Sequence, residues 1–303
     1  MVERPDHASL FVSSTIAYYG LPATLGAAER FSEEEIEKQL KYLVGECGGE
    51  GCSRTVGPGS LKDLIASELG IGDLLSGMDE RELVVVQIGE TLHVGHVERH
   101  LIFRDPFIGD MEVIFLMPPE ASSPGPAIVG LHGHEDNGDD FRNEYMGSVL
   151  ADAGYFVVMP SFRAMRLEGE EREDQKVSLY LLRYGLSLMG VRVYETLLLL
   201  KYLRYLPTVD NHRIGIMAHS GGNAVAALVV RLTDFVSVRV ADYFSPYLSL
   251  YKDHLHCETV PGLYHAHESI NDDSSAGIPV LRVPYGYDPM QKTIRAFLDE
   301  HLR

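Results

Sequence analysis

After Pro126 the chain alternates short apolar runs with longer segments in which apolar residues recur every three or four positions. Such runs are typical of buried strands, and the longer spacing is typical of amphipathic helices. The alternation predicts βαβ units around a mostly parallel sheet. The predicted strands are Ala127–Leu131, Tyr155–Met159, Arg213–Ala218, Ser237–Phe244 and Pro279–Val283. The predicted helices are Asp140–Ala153, two stretches within Asp174–Leu206 broken near Gly190, Gly221–Leu232 and Met290–Leu302.

Three segments rich in β-branched residues precede this region: Leu83–Ile88, Thr91–Phe103 and Met111–Met117. Turn residues separate them, at Gly89-Glu90 and at Asp105-Pro106. This pattern predicts antiparallel strands joined by hairpins.

Three histidines fall within the middle segment, at His93, His96 and His100. On a strand, even and odd spacings point to opposite faces. We therefore expect that these imidazoles do not form one site, and we assign no metal ligand and no cofactor to the chain.

The N-terminal part is predicted to be helical and polar. Ser32-Glu33-Glu34-Glu35 has the form of a capping box, and apolar residues at helical spacing follow it. A second short helix is predicted at Ser60–Leu69, after a glycine-rich loop that contains Cys47 and Cys52. We divide the chain into a helical extension, 1–82, and an α/β domain, 83–303.

Composition excludes several classes of protein and partner. The chain has 303 residues, a formal charge of −18 and three cysteines, which suits a globular protein in a reducing compartment. The acidic balance argues against nucleic acid and anionic membrane surfaces as partners. Met1–Leu10 lacks the apolar segment of a signal peptide, so we expect a cytoplasmic protein.

The strongest chemical signal is Ala218-His219-Ser220-Gly221-Gly222, between a predicted strand and a predicted helix. It matches the nucleophile-elbow pattern G-x-S-x-G, with alanine in place of the first glycine. Small flanking residues allow strand and helix to approach closely, while the turn exposes the Ser220 hydroxyl. The Gly221 amide at the helix N-terminus can then donate to an oxyanion.

A second signal, Leu131-His132-Gly133-His134, directly follows the strand Ala127–Leu131. A His-Gly turn at this point would supply another oxyanion donor, the amide of His134. The alternative is an ordinary polar loop between a strand and a helix.

The stretch from about residue 127 to 263 resembles the α/β-hydrolase superfamily, nearest to its dienelactone hydrolase and acetyl xylan esterase-like branch. The residues that carry the resemblance are Leu131-His132-Gly133-His134, Gly154–Val158 with Pro160 and Phe162-Arg163, Tyr202-Leu203, Val209–Gly215, Ala218–Gly222, His256-Cys257 and Val260–Leu263. The resemblance implies an eight-stranded sheet in a three-layer sandwich, a serine nucleophile at Ser220, oxyanion amides at Gly221 and His134, and ester hydrolysis.

The C-terminal part departs from the family pattern, in which an acid follows one late strand and a histidine follows the last. Between Leu263 and the terminal helix only one strand is convincing where the family usually has two, so we expect a sheet shortened at this edge. Pro284–Met290 can be interpreted as the acid segment, with Asp288 as the triad acid and the histidine strand missing. It can also be the last strand, with Tyr285 in place of the base, and the helix that follows immediately slightly favours this second interpretation.

No histidine follows this segment except His301, which is expected on the surface of the terminal helix. Other candidate bases lie between the fourth predicted strand and Pro279, at His254, His256, His265 and His267. We place His265 and His267 first among them. His219 is not expected to reach the hydroxyl of its own neighbour.

Two hypotheses follow from these residues. The first is a serine esterase acting on a small-molecule ester through Ser220, with an incomplete or rearranged triad. The second is a catalytically inactive protein of the same fold that serves in binding or assembly. A sheet that ends early also exposes an edge strand, which favours a homodimer.

Overall fold

The computed structural model describes residues 58–119, 124–165, 173–242, 260, 263, 266–284 and 290–303. The predicted first helix, the loop with Cys47 and Cys52, and the candidates His254, His256, His265, Tyr285 and Asp288 lie outside the described residues. His267 begins a helix, but its side chain is not described.

Within the described residues, eight strands form one sheet in the order β1-β2-β3-β5-β4-β6-β7-β8. The strands are β1 Val84–Leu92, β2 Val97–Asp105, β3 Gly109–Met117, β4 Gly125–Leu131, β5 Phe156–Pro160, β6 Val209–Ala218, β7 Val238–Asp242 and β8 Val280–Val283. β1, β2 and β3 pair antiparallel, as does β3 with β5. The other pairs are parallel, as the alternating pattern predicts.

Helices cover both faces of this sheet. They are α1 Pro58–Glu68, α2 Gly72–Leu75, α3 Gly138–Glu144, α4 Gly147–Asp152, α5 Glu173–Leu182, α6 Leu188–Tyr205, α7 Gly221–Leu232, α8 His267–Asn271 and α9 Gln291–Leu302, with a 3-10 turn at Asp273–Ala276. The helix predicted at Asp140–Ala153 is two helices, because Met146 adopts a φ of 73° between them. None of the described helices is long and apolar enough to cross a membrane.

The core lies in two layers, one on each face of the sheet. Along β4, Ala127 and Val129 contact the layer that contains α1, α6 and α7, while Ile128 contacts the layer that contains α3, α4 and α9. This period-two alternation of wholly apolar side chains is typical of a central parallel strand covered on both faces. The architecture is therefore the three-layer sandwich that was expected.

The described part of the N-terminal extension packs into the same core as the sheet. Leu61, Ile65 and Leu69 of α1, followed by Ile71 and Leu74, are buried with the side chains of α6 and α7. Residues 61–78 are therefore part of one hydrophobic core with the α/β region. The boundary at residue 82 stays a prediction.

The first hairpin turns later than the sequence pattern indicates. β1 continues through Gly89 and Glu90 to Leu92, and its register with β2 shifts between Gln87 and Gly89. A glycine within a strand commonly marks such an irregularity. The predicted turn at Gly89-Glu90 is therefore wrong, and the chain reverses at residues 93–96, where the His93 N–H donates to the His96 carbonyl at 2.9 Å.

The shortened C-terminal edge stays a prediction, because residues 285–289, where a further strand would lie, are outside the described residues. Between Leu263 and α9 the structure describes one strand, β8, which pairs with β7 along a single side. The sheet nevertheless has eight strands, because β1, β2 and β3 precede its parallel part.

Candidate functional site

Ser220 occupies the turn between β6 and α7, at the carboxyl end of the central parallel strands. Its backbone has a φ of 46° and a ψ of −117°, outside the regions that L residues ordinarily adopt. Such a conformation costs about 1–3 kcal/mol and persists only where the surroundings enforce it. The short linkage of β6 to a buried helix imposes it here, and the Ser220 side chain stays partly accessible.

Two glycines allow the backbone segments around Ser220 to approach one another. A Cβ on Gly222 would lie 2.6 Å from the His132 carbonyl oxygen, against backbone that cannot move aside. A Cβ on Gly133 would lie 2.9 Å from the Ser220 Cβ. The two segments that the sequence singled out, around Gly133 and around Ser220, are therefore in direct contact.

Gly221 is the first residue of α7. Its N–H points out of the helix end, where no carbonyl of the same helix can accept it. His134 follows Gly133 in the loop that touches Ser220, and its side chain is half-buried. The structure thus brings together three of the predicted site residues: Ser220, Gly221 and the His134 loop.

Asp242, the last residue of β7, is a site residue that the sequence analysis did not single out. Its Oδ2 accepts the Ser220 backbone N–H at 2.6 Å, and its Oδ1 accepts from Asn223 Nδ2 at 3.1 Å. Its side chain is buried. A carboxylate at the carboxyl end of the strand next to β6 was the signal that could have identified it, because ends of parallel strands meet at one edge of the sheet.

Asn223 links this carboxylate to a buried arginine. Arg239 on β7 donates to the Asn223 side-chain oxygen, and its Nη1 lies 3.7 Å from Asp273 Oδ1. Burial lowers the pKa of Arg239 to about 10, although the Asp273 charge opposes that shift. Asp273 also accepts from Arg282 at 2.5 Å. Asp273 therefore pairs with one arginine of β7 and one of β8.

His219 is turned away from solvent, between Asp242 and the α3–α4 junction. Its Nδ1 lies 3.1 Å from Asp242 Oδ2, and its ring stacks on Tyr145 with centroids 4.6 Å apart. The Tyr145 hydroxyl donates to Asp136 Oδ2 at 3.2 Å. Burial raises the pKa of Asp136 above its usual value, although the His219 charge and the Tyr145 hydrogen bond act against it. Two carboxyl groups thus flank one imidazole beside the Ser220 turn.

His132 holds the loop before Gly133 in place. Its Nε2 accepts the Phe162 backbone N–H at 2.9 Å, so the ring proton is on Nδ1, which donates to the Gly133 carbonyl at 2.8 Å. Burial lowers the pKa of His132 to about 4, despite the opposing effect of the Gly133 hydrogen bond. The imidazole is therefore neutral, and it fixes the shape of the loop that carries His134.

The predicted acid and bases are not assembled within the described residues. Asp288 and His265 lie outside them. Arg231, near the end of α7, donates to the carbonyl oxygens of Ile270 and Asp272. At 1.5 Å per residue, Arg231 is about 16 Å along α7 from Ser220. The C-terminal end of α8, the helix that begins at His267, therefore lies at the end of α7 remote from Ser220.

A second polar cluster lies at the β1–β2 turn, and it corrects the expectation for the three histidines there. The Nε2 atoms of His93 and His100 contact opposite oxygens of Glu98, at 2.9 and 2.7 Å. The His96 ring stacks on His93 with centroids 4.5 Å apart. The expectation failed because His93 and His96 belong to the turn, where the alternation of a strand does not apply. We call these residues, with Asp152, the hairpin cluster.

Comparison with known proteins yields structural likeness without sequence likeness. No protein-family model matches the chain, and no curated protein does. A provisionally named acetyl xylan esterase from Bacteroides fragilis superposes with a TM-score of 0.61 and 15% identity, over 93% of this chain and 77% of that one. An acetyl xylan esterase from Paenibacillus sp. R4 gives 0.56 and 13%, over 80% and 99%. The methylesterase BT1017 gives 0.52 and 16%, over 90% and 68%. Likeness at this identity establishes a shared fold.

Proposed function

We propose that this chain, which has the α/β-hydrolase fold, is a serine hydrolase that cleaves carboxylic esters with Ser220 as its nucleophile. The observation that carries the proposal is the positive φ of Ser220 at the β6–α7 turn. Strain of this kind is retained at sites where a side chain must be presented to a substrate. The esterase names of the structural neighbours support the reaction class.

In the proposed reaction the Ser220 Oγ attacks the acyl carbon and forms a tetrahedral intermediate. The N–H groups of Gly221 and His134 donate to the oxyanion, and the dipole of α7 adds to its stabilisation. The intermediate expels the alcohol, and water then releases the acid from the acyl-serine. Asp242 acts behind the turn, because its hydrogen bond to the Ser220 backbone N–H holds the strained backbone in place.

A serine hydroxyl needs a base to take its proton. We propose that His265 or His267 serves as this base and that Asp288 is the acid, in a rearranged triad. Replacing His265 and His267 separately by alanine identifies the base, since only one replacement should abolish hydrolysis. Loss of activity in neither variant would exclude both residues.

The test of the proposed function compares the wild-type chain with Ser220→Ala on p-nitrophenyl acetate. We expect a loss of about a hundredfold or more in kcat/KM, because the oxyanion donors alone leave only residual catalysis. Ser67→Ala, which removes an exposed hydroxyl from α1, is the matched control and should leave the rate unchanged. Equal rates for wild type and Ser220→Ala would contradict the proposal.

The second candidate is an inactive protein of this fold that binds or assembles. The sequence pattern favours it, because only one strand is convincing between Leu263 and the terminal helix, where the family usually has two. Acetylated xylan fragments separate the two candidates: an esterase releases acetate from them, whereas a binding protein does not. The cytoplasmic location and the homodimer stay predictions from the sequence.

A further inference from the structure

We propose that the hairpin cluster binds one zinc ion through His93, His96 and Glu98. One ligand atom from each of these residues lies within 4.8 Å of the other two. The cluster shares no residue with the surroundings of Ser220 described above. The inference is therefore independent of the proposed esterase activity.

The hydrogen bond from His96 to Asp152 uses one ring nitrogen of His96 and leaves the other available to a metal. His96 Nδ1 lies 2.7 Å from Asp152 Oδ1. A carboxylate only accepts, so the neutral ring carries its proton on Nδ1 and has a lone pair on Nε2. That Nε2 is buried and has no hydrogen-bond partner, in a side chain that is 6% exposed. A buried acceptor without a donor is costly, and a cation would satisfy it.

Asp152 holds His96 in the way that carboxylates hold the histidines of known metal sites. Metal-binding histidines commonly donate their other N–H to a carboxylate, which fixes the ring and raises its basicity. The turn is shaped around this carboxylate, since a Cβ on Gly95 would lie 2.7 Å from Asp152 Cγ. Glycine at that position lets Asp152 of α4 reach His96 across the hairpin.

The two oxygens of Glu98 have different surroundings. Oε1 accepts from His100 and from Arg142, which balances part of the negative charge. Oε2 contacts only His93 among the described residues, so the oxygen nearest the imidazoles is the one available to a metal.

Two imidazoles and one carboxylate are a ligand set that zinc accepts, with bond lengths of about 2.0–2.2 Å. Binding of zinc draws the three ligand atoms together and breaks the hydrogen bond between His93 and Glu98. The proton on His93 Nε2 then leaves to solvent or moves to Nδ1. The cluster lines an open cleft of about 530 Å³, together with Thr91, Asn143 and Ser148. A fourth zinc ligand, such as water, can enter from this cleft.

The experiment is calorimetric titration of EDTA-treated, dialysed full-length protein with zinc chloride. We expect one zinc per chain, with at least a tenfold loss of affinity in His93→Gln and in Glu98→Gln. Since the His93 side chain is 40% exposed, His93→Gln should fold normally, and circular dichroism checks this. Asp152→Asn should lose about tenfold, as is usual for an outer-shell partner.

His301→Gln is the matched control, because His301 is an exposed imidazole on α9 and should bind zinc as the wild type does. X-ray absorption at the zinc edge should show the multiple-scattering signature of two imidazole ligands within a first shell of nitrogen and oxygen atoms. Absence of stoichiometric binding, unchanged affinity in folded His93→Gln, or tighter binding of Mg²⁺ than of Zn²⁺ would each overturn the proposal. Ser220→Ala should bind zinc normally, so failure of either proposal leaves the other testable.

Discussion

The Ser220 turn and the hairpin cluster both gather imidazoles and carboxylates, but they do so by different means. At the Ser220 turn the polar side chains are bonded to backbone: Asp242 holds the Ser220 N–H, and His132 joins the Phe162 N–H to the Gly133 carbonyl. At the hairpin cluster the side chains contact one another, and the buried Nε2 of His96 has no hydrogen-bond partner.

The difference indicates two kinds of site. Bonds to backbone fix a strained main chain in one position, which is what a nucleophile with preformed oxyanion donors requires. Side chains that converge next to an open cleft can still adjust, which suits capture of an ion. The two regions should therefore respond differently to the same kind of substitution.

Gly222→Ala should cause the largest loss of stability at the Ser220 turn. The added methyl group meets backbone atoms of Leu131 and His132, so we expect a loss of about 3 kcal/mol in the free energy of unfolding, together with loss of esterase activity. Urea denaturation measures the free energy of unfolding. Gly72→Ala is the matched control, since a Cβ there meets no atom within 4 Å, and it should be neutral.

Asp242→Asn should come next, because it replaces a buried acceptor by a group that carries two hydrogens. Three donors face that carboxylate: the Ser220 N–H, Asn223 Nδ2 and the His219 ring. We expect a loss of about 2 kcal/mol, typical of a hydrogen bond to a charged group, and a lower kcat with a smaller change in KM. Asp234→Asn, on the loop after α7, is the control. A kcat equal to that of the wild type in Asp242→Asn would show that Asp242 does not support catalysis by Ser220.

Acid should weaken the same region through His132. Its pKa is about 4 when folded, against about 6.5 when unfolded, so between these values the unfolded state binds more protons. The stability that neutral His132 contributes is complete above about pH 6.5 and is lost as the pH falls toward 4. From pH 7.5 to 5 this amounts to about 2 kcal/mol.

His132→Asn isolates this contribution, because it cannot titrate in that range. Its stability should fall less steeply between pH 7.5 and 5 than that of the wild type, by about 2 kcal/mol in urea denaturation. Parallel curves for the two proteins would show that His132 is protonated without cost in the folded state.

Gly95→Ala should have the smallest effect on stability, although its added Cβ also overlaps an atom. Here the neighbour is the Asp152 side chain, which is 56% exposed and can rotate away. We expect a loss below about 1 kcal/mol, as at ordinary surface positions. Zinc affinity should fall several-fold, since His96 loses its carboxylate partner. A stability loss equal to that of Gly222→Ala would contradict the claim that the side chains of the hairpin cluster can adjust whereas the backbone at the Ser220 turn cannot.

The sequence predicted the central strands well because local signals and burial coincide there. The bounds predicted for α7 match the structure, and the Ser220 and Gly133 segments meet as expected. The small residues at the strand–helix turn predict that contact, because they allow the two segments to approach closely.

Prediction failed where long-range contacts decide the outcome. Gly89 looks like a turn residue, yet pairing with β2 extends β1 beyond it and moves the reversal to residues 93–96. The contact between Asp242 and Ser220 could not be inferred from local pattern either, because it joins the ends of two adjacent strands that a helix separates along the chain. Both of these positions are determined by a neighbouring strand rather than by their own segment.

Fluorophosphonate labelling of the folded protein, read out by peptide mass spectrometry, tests the central claim most directly. An activated Ser220 should carry the phosphonyl group on its own peptide, and heat denaturation before labelling should abolish the modification. An unlabelled Ser220 in folded protein would contradict the claim that this strained turn presents a catalytic nucleophile.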